Sequence, residues 1–118
     1  ACIEKLLAFL RVPNRARGES LEALRALMGE NPLASEGIRE LAEIDAVLTA
    51  LGVADAHAAF DTTIVRGLAY YTGPVFEAVL LDAPEFGSVF SGGRYDGLVQ
   101  RFQSAEIPAV GASVGVDR

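Results

Sequence analysis

The spacing of apolar residues changes midway along the chain, and that change restricts the folds open to it. Through residues 1–56 apolar side chains recur at every third or fourth position, which indicates amphipathic helices. From Ala58 onward they alternate with other residues at a period of two, which indicates strands. We therefore expect an α+β chain, with a helical N-terminal segment over residues 1–56 and a mostly antiparallel sheet with one helix over residues 57–118.

Three helices are predicted in the N-terminal segment, within residues 3–10, 18–31 and 35–53. Ser20 and Ser35 stand before the apolar stripes of the second and third helices, so they are the expected N-caps. A glycine follows each of these two helices and would end it. The charged residues of this segment lie between the apolar positions, and they indicate a structural role.

Four strands and one short helix are predicted in the C-terminal segment. The strands fall within residues 59–65, 73–81, 86–93 and 112–118, and the helix within residues 95–102. The connections between the middle strands are too short for helical crossovers, which favours antiparallel pairing.

Composition excludes several classes of protein. Of 118 residues, 51% are hydrophobic, which is enough for a core and indicates one small domain or a piece of a larger protein. The chain has no initiator methionine and ends without a closing element, so we expect a piece of a longer protein. No apolar run reaches the roughly 18 residues of a membrane helix. The net charge of −6 counts against a broad nonspecific nucleic-acid surface, and the single cysteine, Cys2, favours a reducing, cytoplasmic setting.

The stretch "RGLAYYTGPVFEAV" (residues 66–79) is the first candidate for chemistry. Arg66 carries a permanent planar charge that suits a carboxylate or a phosphate. If the backbone bends between the two flanking glycines, Tyr70 and Tyr71 would line one pocket suited to a small polar ring or an amine. In the alternative, Arg66 pairs with a nearby carboxylate while the tyrosines fill the core. Spacing alone leaves both interpretations open.

Two further clusters contain glycine, "SGGRYDGL" (residues 91–98) and "GASVGVDR" (residues 111–118). The paired glycines of the first would permit a tight strand-to-helix turn whose N–H groups could face an anion. The cluster lacks the lysine of a Walker loop, so a purely structural turn remains the alternative. Arg118 at the end of the second cluster could reach a phosphate or remain solvated.

Covalent catalysis is not indicated by the rest of the chain. His57 is the only histidine and stands at a helix-to-strand junction, where a structural role is expected. Without a Ser/His/Asp or Cys/His set there is no nucleophilic triad, and the isolated carboxylates Asp61 and Glu77 predict no metal site. Arginines, tyrosines and glycines suit positioning and charge neutralisation instead.

Taken in order, "RGLAYYTGPVFEAV", "GSVFSGGRYDGLVQRF" and "IPAVGASVGVDR" resemble the catalytic domain of histidyl-tRNA synthetases. The first is similar to the histidine-binding signature of that family, and the last resembles motif 3 of class II aminoacyl-tRNA synthetases. The resemblance is dense over residues 61–118, whereas residues 1–56 resemble the family's insertion only in position and character. It implies that residues 57–118 form part of a class II synthetase-like antiparallel sheet within a partial catalytic domain.

The resemblance also implies roles. Arg66 matches the catalytic arginine that contacts the histidine carboxylate and the α-phosphate of ATP. Tyr70, Tyr71 and Tyr95 match residues that line the histidine pocket, and Arg118 matches the arginine that binds the γ-phosphate of ATP. The implied reaction joins L-histidine to ATP, releases pyrophosphate, and transfers the histidine to tRNA(His), with Mg²⁺ accompanying ATP. A homodimer is implied for the full-length protein.

Departures from the family pattern matter as well. Ala69 stands where the family commonly has an aspartate, so any support from that carboxylate is missing. Ser91 replaces a residue that is often glycine or alanine. Motifs 1 and 2 are absent from the chain, and we expect the chain alone to lack aminoacylation activity.

Two other classes of protein share parts of these motifs. One is the synthetase-like regulatory subunit of ATP phosphoribosyltransferase in histidine biosynthesis, which Ala69 favours and which Arg66 and Arg118 argue against. The other is the synthetase-like, RNA-binding domain of a stress-sensing kinase, and Arg66 together with the tyrosine pair counts against it.

Overall fold

A computed structural model of the chain describes residues 2–65, 67, 69–102, 104–105 and 107–118. The chain divides into two compact units, Ala1–Thr63 and Ile64–Arg118. The first is helical, and the second contains a sheet, so the predicted α+β class is confirmed. Among the described residues, no helix combines the length and the apolar character needed to cross a membrane.

The helical unit contains α1 (Cys2–Leu10), α2 (Arg17–Met28) and α3 (Pro32–Ala50), close to the three helices that periodicity predicts. Its core lies where α2 and α3 pack together. The buried apolar residues are Leu21, Leu24 and Ile38, with Phe9, Val12, Leu41, Ala42 and Phe60 packed around them.

The predicted N-cap Ser20 is wrong, because α2 begins one turn earlier, at Arg17. Ser20 is instead fully buried, and its hydroxyl donates to the carbonyl of Pro13 at 2.5 Å. A buried hydroxyl needs such a partner to offset the loss of water. The serine therefore fastens the loop before α2 to the helix.

The predicted N-cap Ser35 is also wrong. Asn31 caps α3, since its side-chain oxygen accepts from the N–H of Ala34 at 3.1 Å, and Pro32 occupies the first helical position. Proline suits that position because it has no N–H to leave unpaired and its φ is already helical. The hydroxyl of Ser35 instead donates to the carbonyl of Gly29 at 2.7 Å.

A buried arginine joins the helices to the segment that follows them. Arg17 is only 4% exposed, and its Nε lies 2.6 Å from the carboxylate of Asp45 in α3. Its Nη1 lies 2.9 Å from Asp55 and donates to the carbonyl of Ala58 at 2.9 Å, while Nη2 donates to Val53 at 3.0 Å. The fork of a guanidinium can serve all of these acceptors at once.

The predicted strand within residues 59–65 is wrong. Phe60 packs against the helical core, and Thr62 donates to a backbone carbonyl at the end of α1 at 2.8 Å. Asp61 accepts both the N–H of Thr63, at 2.8 Å, and its hydroxyl, at 2.6 Å. Such local side-chain bonds compete with strand pairing, and here they hold a turn.

The second unit contains β1 (Val75–Val79), β2 (Ser88–Arg94) and β3 (Val110–Val114), in spatial order β1-β2-β3. Both pairs are antiparallel, which confirms the predicted pairing. A 3₁₀ turn at Pro84–Phe86 precedes β2, and the short helix α4 (Asp96–Val99) follows it.

Strand register gives the two faces of this sheet different characters. Glu77, Ser91 and Ser113 lie opposite one another across the three strands and share a face with glycines. The other face is apolar, and the rings of Phe76 and Phe90 stack on it with centroids 5.8 Å apart. The same face also carries Ala78, Gly92, Val110, Ala112 and Val114, and Arg94 lies at its end opposite Val110.

Candidate functional site

A cavity of about 260 Å³ opens on the face of the sheet that carries the serines and glycines. It suits a ligand the size of an amino acid, since the cavities that bind larger, drug-sized ligands measure about 300–1,000 Å³. The residues that line it are Tyr70, Tyr71, Ser91, Gly92, Tyr95, Leu98, Gly111, Ala112 and Ser113.

Another cavity, of about 330 Å³, lies in the helical unit beside α1 and α2. Its walls are apolar apart from Arg11, so few polar groups are available there to orient a ligand. The smaller cavity on the sheet has hydroxyl groups on several sides and is therefore the candidate functional site.

The three tyrosines of the chain converge on the sheet cavity. The ring centroids of Tyr70 and Tyr71 lie 4.7 Å apart, and Tyr95 meets Tyr70 edge to face at 5.7 Å. Tyr71 and Tyr95 are 6.5 Å apart. These distances are those of favourable aromatic pairs, so each ring helps to hold the others in place. The structure thus brings Tyr95 together with the pair Tyr70 and Tyr71, as the family resemblance implies.

Glycines in the sheet make room for two of these rings. A β-carbon at Gly93 would lie 2.7 Å from two ring carbons of Tyr71, and one at Gly111 would overlap the hydroxyl oxygen of Tyr95. Gly92 and Gly93 both pair within β2, so the predicted strand-to-helix turn at these glycines is wrong. Their function is close approach of other groups to the sheet.

Asp96 links three segments next to the cavity. Its carboxylate accepts from the hydroxyl of Thr72 and from the N–H of Ala109, both at 3.2 Å, and forms an ion pair with Nε of Arg94 at 3.0 Å. The N–H of Asp96 donates back to the hydroxyl of Thr72 at 3.0 Å. The N-cap residue Tyr95 makes no side-chain cap bond, so Thr72 satisfies this first N–H of α4 from another segment.

The side chain of Arg94 lies directly against Gly73. A β-carbon at Gly73 would lie 2.5 Å from Cζ of that guanidinium and 2.6 Å from its Nε. Glycine is therefore needed here for close contact with Arg94. The sequence does not reveal this contact or the link between Thr72 and Asp96, because the residues that meet are far apart along the chain.

Arg118 is outside the cavity. It is exposed, and its Nη1 donates to the carbonyl of Ser88 at 2.7 Å, at the end of β2 opposite Tyr95. Of the two outcomes considered for this arginine, the structure shows a surface side chain held by the backbone. Its binding to phosphate stays a prediction.

The remaining predicted positions are Arg66, Ala69 and His57. Arg66 lies outside the described residues, so its predicted role stays a prediction. Ala69 is exposed in a turn just before Tyr70, and His57 is exposed in a turn of the helical unit. Among the described residues, no group of three or more His, Cys, Asp or Glu side chains is arranged to hold a metal ion.

The cavity can bind and orient a small ligand through rings and hydroxyls. Phenol and serine hydroxyls each donate and accept hydrogen bonds, and the flat rings can pack against a planar group. None of the described lining residues carries a full charge. An antiparallel sheet that carries such a site on one face is the arrangement expected of a class II aminoacyl-tRNA synthetase.

Comparisons with known proteins agree with this class. The sequence profile described as "Histidyl-tRNA synthetase" matches residues 2–118. Two curated proteins named "Histidine--tRNA ligase", from Paracoccus denitrificans and a Ruegeria species, are 50% and 46% identical to the chain, each over 98% of its length. The crystal structure of histidyl-tRNA synthetase from Nostoc sp. PCC 7120 matches 97% of the chain with a TM-score of 0.86 and 34% identity.

The chain belongs to the histidyl-tRNA synthetase family, which confirms the resemblance found in its motifs. It spans about a quarter of the length of these relatives: 25% of each curated protein and 27% of the crystallised chain.

Proposed function

We propose that this chain forms the histidine-binding part of a histidine–tRNA ligase. The observation that carries the proposal is the convergence of Tyr70, Tyr71 and Tyr95 on one cavity, in a chain whose relatives bear that name. The full-length protein would activate L-histidine with ATP and transfer it to tRNA(His).

The chemistry of the cavity supports histidine as the ligand. A neutral imidazole has one ring nitrogen that donates and one that accepts, and hydroxyl groups can serve both. Its planar ring can pack against the tyrosine rings, as aromatic groups do at these distances. Ser91 and Ser113 add hydroxyl groups on the sheet.

The position of Arg118 supports a role beyond the amino-acid cavity. It contacts Ser88, three residues before the lining residue Ser91, and three residues of a strand span roughly 10 Å. An extended triphosphate spans a similar length. We therefore propose that Arg118 binds the γ-phosphate of ATP. For Arg66, the proposed contact with the α-phosphate and the histidine carboxylate rests on the family motif alone.

In the activation step a carboxylate oxygen of histidine forms a bond to the α-phosphorus, and the bond from that phosphorus to pyrophosphate breaks. The two arginines would stabilise the negative charge on the phosphate oxygens, so positioning and electrostatics supply the catalysis. Mg²⁺ remains an expectation from the family. The described residues offer no acidic cluster for it, and no step assigned to this chain depends on it.

The remaining expectations concern the whole protein. A homodimer, tRNA(His) as substrate and a cytoplasmic location stay predictions. Because the chain spans a quarter of its curated relatives, we also predict no aminoacylation by the chain alone. The regulatory-subunit alternative is not favoured, since the relatives at 44–50% identity carry the name of the ligase.

Histidine-dependent exchange of pyrophosphate into ATP by the full-length protein tests the proposal. We expect Tyr71→Phe and Tyr95→Phe each to raise the KM for histidine by about tenfold, the value of one hydrogen bond. Phenylalanine retains the ring packing, so loss of the hydroxyl alone is measured. No exchange above background, or exchange supported better by another amino acid, would contradict the proposed function.

A further inference from the structure

We propose that Asp96 is a positioning residue for the tyrosine cavity. It acts through a set of contacts that we call the Asp96 clasp, made of Thr72, Arg94, Asp96 and Ala109. The inference rests on the proposed function, because it concerns how the same cavity binds histidine.

Three members of the clasp stand next to a residue of the cavity in the sequence, and the fourth, Ala109, stands two residues before Gly111. Thr72 follows Tyr71, and Asp96 follows Tyr95. Ala109 directly precedes β3, whose Gly111 lies against Tyr95. A single carboxylate therefore contacts all three segments that form the walls, at distances of 3.0–3.2 Å.

Backbone bonds reinforce the same junction. The N–H of Thr72 donates to the carbonyl of Arg94 at 2.9 Å, and the N–H of Tyr95 donates to Ala109 at 2.8 Å. All of these groups lie beyond the ends of the paired strands or at the last residue of β2. The segments that carry Tyr71 and Tyr95 are therefore positioned beyond the paired strands by these backbone bonds together with the side-chain contacts of the clasp.

The reciprocal bonds between Thr72 and Asp96 are specific to a hydroxyl group. The hydroxyl of Thr72 donates to the carboxylate and accepts from the N–H of the same residue. Valine has the shape of threonine but can do neither, whereas serine can do both. Thr72→Val and Thr72→Ser therefore form a matched pair that separates the hydrogen bonds from the packing.

The clasp should affect binding rather than chemistry. None of its four residues lines the cavity, so its effect on histidine passes through the placement of Tyr71 and Tyr95. Small displacements of Tyr71 and Tyr95 would lengthen or misalign the hydrogen bonds that they make to histidine and so weaken its binding. If only the affinity for histidine falls, the KM for histidine rises while the KM for ATP and kcat stay nearly unchanged.

The test uses the full-length protein, with histidine binding measured by calorimetry and both KM values measured by pyrophosphate exchange. We expect Thr72→Val and Asp96→Asn each to weaken histidine binding by about tenfold, with the KM for ATP and kcat changed by less than about threefold. Thr72→Ser should bind histidine within about threefold of the unsubstituted protein. Asp82→Asn, which removes an exposed carboxylate outside the clasp, is the control and should change nothing.

Several results would overturn the inference. Normal histidine binding in both Thr72→Val and Asp96→Asn would do so. An equal loss of histidine affinity in Thr72→Ser and Thr72→Val would also do so. A similar rise in the KM for ATP, together with a fall in kcat, would indicate a general structural defect and count against a positioning role for Asp96. If Asp96→Asn does not fold, the Thr72 pair decides. If the unsubstituted protein does not bind histidine, the proposed function fails and the inference fails with it.

Discussion

Gly111 lies directly against the hydroxyl group of Tyr95, so close that a β-carbon at position 111 would overlap the phenolic oxygen. The same relationship recurs at Gly93, where a β-carbon would lie 2.7 Å from the ring of Tyr71. Both glycines pair within the sheet, in β3 and β2 respectively. Because glycine has no side chain, these positions on neighbouring strands let the two aromatic rings lie directly against the backbone of the sheet.

Gly111→Ala should displace the ring of Tyr95. Fitting a methyl group into an occupied space costs about 1–3 kcal/mol. Here the group that must move is the ring of Tyr95, which lines the site. We expect histidine affinity of the full-length protein to fall by about 30-fold, or ~2 kcal/mol, in calorimetry. Gly97→Ala is the matched control, because a β-carbon there meets nothing within 4 Å. Equal effects of the two substitutions would contradict this account of Gly111.

Arg17 should contribute strongly to the stability of the helical unit. Arg17→Met removes the partner of Asp45 and Asp55 and leaves two backbone carbonyls without their donor. The carboxylates of Asp45 and Asp55 are 27% and 43% exposed and can be solvated, so the main cost is the lost hydrogen bonds to the two carbonyls and to Asp45, about 3 kcal/mol in all. Amide hydrogen exchange in α2 should consequently accelerate by about 100-fold.

Arg25→Met provides the control for Arg17, since Arg25 is an exposed arginine of the same helix. Substitution of an exposed residue changes stability by less than about 0.5 kcal/mol. Similar exchange rates in the two variants would show that burial of Arg17 contributes little.

Periodicity and glycine positions predict the helices and the antiparallel strands of this chain, because those signals are local. The cap at Ser20 is mispredicted because α2 begins one turn earlier, at Arg17. The cap at Ser35 and the strand at residues 59–65 are mispredicted because nearby side chains make bonds that the pattern does not reveal. Asn31 displaces Ser35 as a cap, and Asp61 holds a turn.

Long-range contacts explain what the sequence could not predict in the site. Arg17 contacts Asp45, which is 28 residues away in the sequence, and Thr72 contacts Asp96, which is 24 residues away. No spacing rule connects residues so far apart. Tyr70 and Tyr71 stand out as neighbouring phenols between two glycines, and Tyr95 stands out through its family motif. Thr72 and Ala109 lie in the same motifs, but nothing in the sequence indicates that both contact Asp96.

Protonation of Asp61 should weaken the turn at residues 61–63. The hydroxyl and the backbone N–H of Thr63, together with the amide of Asn14, hold the pKa of Asp61 below its ordinary value of 3.8. Because the pKa is lower in the folded state, the stabilisation is present above pH 3.8 and is lost as the pH falls through the lowered pKa.

Thr63→Val tests this cause directly, since it removes the hydroxyl bond and leaves the backbone bond. We expect the pKa of Asp61, followed by carbon-13 NMR of its carboxyl group, to rise toward 3.8. Thr49→Val, at an exposed position in α3, should leave it unchanged. A pKa of 3.8 or above in the unsubstituted protein would contradict the assignment.

The apolar face of the sheet should bind a hydrophobic dye when the 118-residue chain is produced on its own. Phe90, Val110 and Val114 share that face and are 37%, 70% and 65% exposed. Contiguous exposed apolar patches of this kind bind such dyes and promote association. Replacing Val110 and Val114 together by threonine keeps the preference for a strand but makes the surface polar, so dye fluorescence should fall by about half. Val116→Thr, at an exposed valine outside β3, should have little effect, and equal losses in the two variants would show that the dye does not bind this face.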